Sequence, residues 1–257
     1  MFPIKDDLQP KRIPYITWLL LGLNILVFIV QLGLPRYLLE TFYHLYGIVP
    51  ARIMHPDWAS AVGFPAGAII TLLTSMFIHG GWLHIIGNSW MLWLFGDDVE
   101  DRIGHGNFLL LYFLSGIVAG ITQIALHPDS TIPTIGASGA IAGVMGAYFL
   151  LFPRASLYVL VPIFFFIDIW KIPAALFLPI WFIGELFSGT VALITPGFSN
   201  IAFWAHIGGF IAGASILRSI LQLESIYNGQ SINPQPQSVR RPNFVMHRRN
   251  PYQNLKF

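Results

Sequence analysis

The apolar positions of this chain come in long unbroken runs rather than in the alternation of a half-buried strand, and polar residues collect between the runs. Ile16 to Leu32, ITWLLLGLNILVFIVQL, has no charged residue and matches the ~17–25 residues that cross about 30 Å of hydrocarbon. It reads as a first spanning helix. The connection from Gly33 to Gly67 mixes Pro35, Arg36, Glu40, Arg52, Asp57 and Pro65 with aromatic residues, the pattern of a segment lying in the membrane interface. The run beginning at Ala68 is too long for one straight helix, and His79-Gly80-Gly81 supplies the break. A second span is therefore expected over Trp82 to Phe95, ended by the charged cluster GDDVEDRIGHG. The third covers Phe108 to Leu126, and the fourth Ala137 to Phe152. Gly139, Gly143 and Gly146 lie on or near one face of the fourth, where missing side chains let a neighbour approach closely, so this span belongs at the centre of the bundle. Leu157 to Trp170 and Ile172 to Phe187 are two further apolar stretches, and hydropathy alone does not decide whether one or both cross. The last span is expected over Ile201 to Leu221, and residues 222–257 read as a basic, disordered tail.

Composition agrees with this pattern. Hydrophobic residues make up 55% of the chain and charged ones 10%, against roughly 25% in a soluble domain, and the mean hydropathy is +0.65. The expectation is an all-α, polytopic membrane protein with its bundle over residues 16–221 and a short cytoplasmic segment over 1–15. With no cysteine, disulfides, cysteine-ligated metals and a thiol nucleophile are excluded. MFPIKDDLQPKR is polar and mixed in charge, so no cleavable signal peptide is expected. Charge orients the spans, because Lys and Arg concentrate in short cytoplasmic loops. With six spans, Lys5, Lys11, Arg12, Arg102, Arg154, Lys171, Arg218 and the basic tail share one side, and only Arg36 and Arg52 of the 14 basic residues fall on the other. Both termini are then cytoplasmic.

Polar groups inside spans are costly, and by default they mark function. Ser138 opens the fourth span, His206 lies in WAHIGGFIAG of the sixth, and His84 with Asn88 lies in HGGWLHIIGNSWML of the second. In the six-span topology these three spans run the same way, and each candidate sits near the start of its span. A rise of about 1.5 Å per residue from Asn200 puts His206 roughly 9 Å in, with Ser138 at similar depth. If both stretches of the fifth region crossed, His206 would enter from the opposite face, so one spans, taken as Ile172 to Phe187. Serine becomes a useful nucleophile when a base within about 3 Å takes its proton, and neutral imidazole does so near neutral pH. Ser138 and His206 form that pair. His84 and Asn88 are four apart and share a helix face. With the Ser138 backbone N–H at a helix start, they are candidate donors to an oxyanion. No carboxylate is assigned as a third member: Asp97, Asp98, Glu100 and Asp101 lie at the inner end of the second span, and Asp168 and Glu185 belong to the ambiguous fifth region.

GASGAIAG, AHIGGFIAG and HGGWLHIIGN, on alternate spans, resemble the rhomboid family of intramembrane serine proteases over about Ile16 to Leu221. The resemblance implies Ser138 as nucleophile, His206 as base and then acid, and His84, Asn88 and the Ser138 amide as oxyanion donors. It implies transmembrane protein substrates in a lipid bilayer, a cavity open to the outside, and lateral substrate access near spans two and five. It also implies that Glu100 and Arg102 belong to a structural cap on the inner side. No metal, cofactor or nucleic-acid partner is implied, and oligomeric state is left open. Some rhomboids place a tyrosine four residues after the serine, against the imidazole; here that residue is Ala142, leaving Trp204 or an aromatic of the fifth span to support His206. Six spans without an added one resemble the basic prokaryotic form, so a prokaryotic inner membrane is expected.

Each feature also has a plainer reading. G-x-S-G alone is ordinary at tight helix interfaces, and a single membrane histidine is as readily an interhelical contact. The three motifs together, in order and at one depth, favour the protease. A catalytically dead rhomboid-like binding protein and a transporter using His84 and His206 as a relay are the rivals. His79 reads as structural or as part of the mouth of the site, and His44, His55, His105, His127 and His247 as solvated.

Overall fold

The computed structural model describes residues 2–65, 68–163, 166–195 and 201–227. Strand β1 is Phe2–Lys5; helices follow as α1 Tyr15–Leu32, α2 Arg36–Tyr46, α3 Pro50–Met54, α4 Pro56–Ala61, α5 Thr71–Thr74, α6 Trp82–Ile103, α7 His105–Leu126 and α8 Ser138–Leu151. A hairpin of β2, Ser156–Ile163, and β3, Phe166–Pro173, leads into α9, Ala174–Ile194, and α10, Phe203–Tyr227. Helices α1, α7, α9 and α10 are each long and apolar enough to cross a membrane. The segment Ala68–Phe77 and α6 form a fifth such unit, bent by 82° at the expected break. The chain is a multi-pass membrane protein built mostly of helices.

The fold is not all-α. The stretch from Leu157 to Trp170, which hydropathy leaves open as a span, is instead the hairpin β2–β3, and β1 pairs with β2 to complete an antiparallel sheet in the order β1-β2-β3. Its alternation explains why. Leu157, Val159 and Val161 are buried, and Tyr158 and Leu160 between them less so, a period of two within a run of almost uniform hydropathy. The sheet lies at the end of the bundle opposite Ser138, since β2 follows the C-terminus of α8. The helix expected over Ile172 to Phe187 accordingly begins at Ala174 and continues to Ile194, past the Phe187 limit. Two other expected bounds move. Helix α6 continues through the charged cluster to Ile103, and α10 runs to Tyr227, so residues 222–227 are helical; the rest of the basic tail, with Arg240, Arg241, Arg248 and Arg249, lies outside the described residues.

Helix α8 sits at the centre, with every residue from Gly139 to Tyr148 buried. The glycines set its neighbours. A Cβ at Gly213 or Gly209 of α10 would collide with the carbonyls of Gly143 or Gly139 of α8, and one at Gly146 with the carbonyl of Phe210. Such small-residue contacts bring the two backbones together, which fixes where Ser138 and His206 lie relative to each other.

Glu100, 1% exposed, caps the start of α1: its carboxylate accepts from the N–H groups of Ile16 (2.9 Å) and Thr17 (2.8 Å) and from the Thr17 hydroxyl (2.7 Å). A carboxylate here meets the open donors and the positive end of the helix dipole. His105 Nδ1 lies 2.5 Å from the same carboxylate, so this histidine is a partner of the cap rather than freely solvated. His55 is likewise engaged, 2.7 Å from Asp129.

Candidate active site

Helix α8 has 14 residues, about 21 Å of rise, and falls short of the ~30 Å hydrocarbon by roughly 9 Å. Its N-terminus, Ser138, is reached by irregular chain over residues 127–137. Such backbone persists at membrane depth only with its polar groups paired or facing a water-lined cavity. Pairing is what the structure has. Ile48 and Thr134 exchange both backbone hydrogen bonds (3.0 and 2.7 Å), and the Gly136 N–H donates to the Ser75 carbonyl at 2.9 Å.

Ser138, His206, His84 and Asn88 converge on one cavity of about 700 Å³, with Gly136 and Ala205 among its walls. The Ser138 hydroxyl lies 2.8 Å from His206 Nε2. Ser138 is only half-buried, so its hydroxyl faces the cavity rather than being sealed into the α8–α10 contact. Relative to the observed helix start, His206 is three residues in, about 5 Å of rise rather than 9 Å, because α10 begins at Phe203. Both partners remain in one layer.

Two side-chain donors face the same space. The Gly80 N–H donates to His84 Nδ1 at 3.3 Å, which leaves Nε2 to carry the ring proton. Asn88, 8% exposed, has a buried Nδ2 without a hydrogen-bond partner. A buried amide N–H left open is costly unless something arrives to accept from it. Between them lies Gly136, at φ +121°, where a Cβ would sit 2.5 Å from His84 Nε2 and 3.4 Å from Asn88 Nδ2. The N-cap of α8 is Ala137, whose side chain forms no cap, so no side-chain acceptor competes for the first N–H groups of the helix. His79, by contrast, is fully buried and structural: Gln31 of α1 grips its backbone, accepting from the N–H at 3.1 Å and donating to the carbonyl at 2.7 Å. Its ring packs edge-on against His84, centroids 5.1 Å apart.

The expectation that no carboxylate reaches the pair is overturned. Glu185 Oε2 lies 2.7 Å from His206 Nδ1, with the two side chains 15% and 14% exposed. Because α9 runs on to Ile194, Glu185 is well inside the helix, on the face that meets α10. That face is legible once the helix is known. Trp181, Glu185 and Gly189 recur every four residues: the Trp181 ring lies against His206 with centroids 6.3 Å apart and planes 30° apart, and Gly189 packs on Trp204. Trp181 of α9 is thus the aromatic that lies against the imidazole, in place of a residue at Ala142. Trp204 does not serve that purpose; its Nε1 donates to the Gly189 carbonyl at 3.2 Å.

A serine hydroxyl within hydrogen-bond reach of an imidazole nitrogen, at the start of an apolar helix and beside an unpaired amide donor, is an arrangement that can support acyl transfer. The rhomboid domain family matches residues 66–222, more than half of the chain, and the chain belongs to the rhomboid family. It is 33% identical over 179 residues to RHOMBOID-like protein 12, mitochondrial, of Arabidopsis thaliana, covering 63% of this chain and 49% of that one. Over 76 residues it is 42% identical to Rhomboid protease GluP of Bacillus subtilis (strain 168), covering 30% and 14%. Over 157 residues it is 29% identical to Rhomboid protein 1, mitochondrial, of Saccharomyces cerevisiae (strain ATCC 204508 / S288c), covering 60% and 40%. The matched region spans about half or less of the length of these relatives. Organellar as well as bacterial relatives occur among them, and the prokaryotic inner membrane expected on sequence finds no support there.

Proposed function

We propose that this protein is an intramembrane serine endopeptidase that cleaves transmembrane segments of other membrane proteins near the outer face of the bilayer. The observation that carries the reading is the 2.8 Å approach of Ser138 Oγ to His206 Nε2 at the edge of a cavity that also holds the open Asn88 amide. In the proposed cycle Ser138 Oγ attacks the scissile carbonyl carbon as its proton passes to His206 Nε2. Charge on the carbonyl oxygen is met by Asn88 Nδ2, His84 Nε2–H and the Ser138 N–H. Collapse of the tetrahedral species breaks the C–N bond, and His206 returns the proton to the leaving amine. Water, reaching the acyl-enzyme through the cavity, is then activated by His206 and releases Ser138.

Six spans, α1, α6, α7, α8, α9 and α10, with both ends on the inner side, accompany this proposal. They put Ser138 in the outer layer and the basic loops opposite. Partners are single-span membrane proteins and the lipid around them, and the proposed cycle uses no metal or cofactor. A dead binding protein of the same fold would retain the cavity without needing the serine–imidazole contact, and a proton relay would need a path to both faces.

The test is incubation of wild type and Ser138→Ala with a panel of single-span substrates in liposomes. Cleavage by wild type alone is expected; equal turnover in the variant overturns the mechanism.

A further inference from the structure

We propose that Glu185 is a positioning residue for His206, so that the working unit of this protein is a Ser138–His206–Glu185 triad in place of a bare pair. The inference rests on the Ser138–His206 reading above and adds to it a residue on a third helix. Imidazole can act as a base toward Ser138 only when the nitrogen facing the hydroxyl is unprotonated, and in the neutral ring this requires the proton to sit on the other nitrogen. An ionised carboxylate has no proton to offer and only accepts. With Glu185 Oε2 at 2.7 Å from Nδ1, the ring proton is held on Nδ1 and the Nε2 lone pair is directed at the Ser138 hydroxyl at 2.8 Å. Trp181, one turn from Glu185, lies against the ring and limits its rotation.

During acylation His206 takes the serine proton at Nε2 and becomes imidazolium. Glu185 stays ionised, Nδ1 keeps its hydrogen, and the proton at Nε2 leaves with the amine. The carboxylate therefore opposes the new charge in a setting only 15% exposed, where water screens it little. An acidic residue within an apolar helix is expensive unless it is paired, and among the described residues the hydrogen bond to His206 is the one that Glu185 makes.

Glu185→Gln separates this role from packing, because it preserves shape and volume while removing the charge and offering an NH2 that can donate to Nδ1 and so favour the wrong tautomer. In liposomes with a fluorogenic single-span substrate, kcat should fall by about 10²–10⁴-fold with KM within about threefold, at an unchanged thermal midpoint in detergent. Fluorophosphonate labelling of Ser138, which needs no substrate docking, should slow in parallel. Glu185→Asp restores the charge one methylene further away and should recover part of both rates. Wild-type turnover in Glu185→Gln overturns the proposal. So does a collapsed thermal midpoint in that variant, which would make the carboxylate a folding element, or an Asp variant no faster than Gln. Ser138→Ala run alongside distinguishes the failures: if it still cleaves, the serine mechanism itself is wrong; if it is inert while Glu185→Gln is fully active, only the role of Glu185 falls.

Discussion

Gly136 lies against the Nε2–Cε1 edge of the His84 ring, so close that a single added methyl would come within 2.5 Å of Nε2. Its φ of +121° is one that a residue with a Cβ seldom adopts, so the position demands glycine for its backbone and for its space. We expect Gly136→Ala to store about 1–3 kcal/mol of strain and to push His84 and Asn88 away from the place where an oxyanion would form. Turnover should fall at least tenfold together with the thermal midpoint. In Gly136→Ala combined with His84→Ala, removal of the ring should restore part of the stability and none of the turnover. Wild-type turnover in Gly136→Ala would remove His84 from the proposed chemistry.

Asn88→Ala tests the open amide. Its Nδ2 has no partner in the free protein, so the interaction it is proposed to make belongs to the transition state. Loss of one such donor typically costs about 3–4 kcal/mol, an expected ~100–1000-fold in kcat with little change in KM. A rise in KM alone would make Asn88 a docking residue. Stability should hold or rise slightly, because an unsatisfied buried donor is removed.

The central helix contact predicts a contrast between glycines. At Gly213 a Cβ meets the backbone of Gly143, which cannot step aside without moving α8 and the serine at its head; at Gly22 of α1 nothing lies within 4 Å. Gly213→Ala should therefore cost about 1–3 kcal/mol in detergent unfolding and reduce cleavage, while Gly22→Ala is neutral or mildly stabilising. Equal behaviour of the two would mean that α8 and α10 are not held by backbone approach.

What the sequence disclosed and what it hid follow from one physical distinction. Ser138, His206, His84 and Asn88 stand out because polar groups in apolar runs are rare, and the glycines near Ser138 mark the face that meets α10. The role of Gly136, within the same GASG stretch, is not legible in sequence because no local pattern reports a φ of +121° or the edge of a histidine ring alongside. Glu185 stands out just as strongly as Ser138, as an acid in the middle of an apolar helix. Sequence alone leaves it unassigned because the start of that helix is ambiguous, and the ambiguity comes from the β2–β3 hairpin. Hydropathy averages over a window and does not register the alternation of Leu157, Val159 and Val161 that makes the preceding stretch a strand. Once that stretch is removed from the membrane, α9 is fixed and Glu185 falls into phase with Trp181 and Gly189.

The chain has no cysteine, so Ser138→Cys introduces a single thiol whose surroundings can be probed alone. If Ser138 only packs helices, the thiol is sealed among Gly139, Ala205 and their neighbours; if it hydrolyses peptide bonds, water must reach it through the cavity. Leu26 of α1 provides the control, because it is 58% exposed yet faces lipid, so open surface and water access are separated. A small membrane-impermeant thiol reagent added outside sealed, correctly oriented vesicles should label Ser138→Cys and leave Leu26→Cys untouched. Added inside only, it should label neither. Labelling requires the thiolate, and His206 within reach of the sulfur should speed it, so His206→Ala in the Ser138→Cys background should slow the reaction without abolishing it. A folded Ser138→Cys protein as inert as the Leu26 control would show that the cavity is closed to water, and the hydroxyl would then be a packing group.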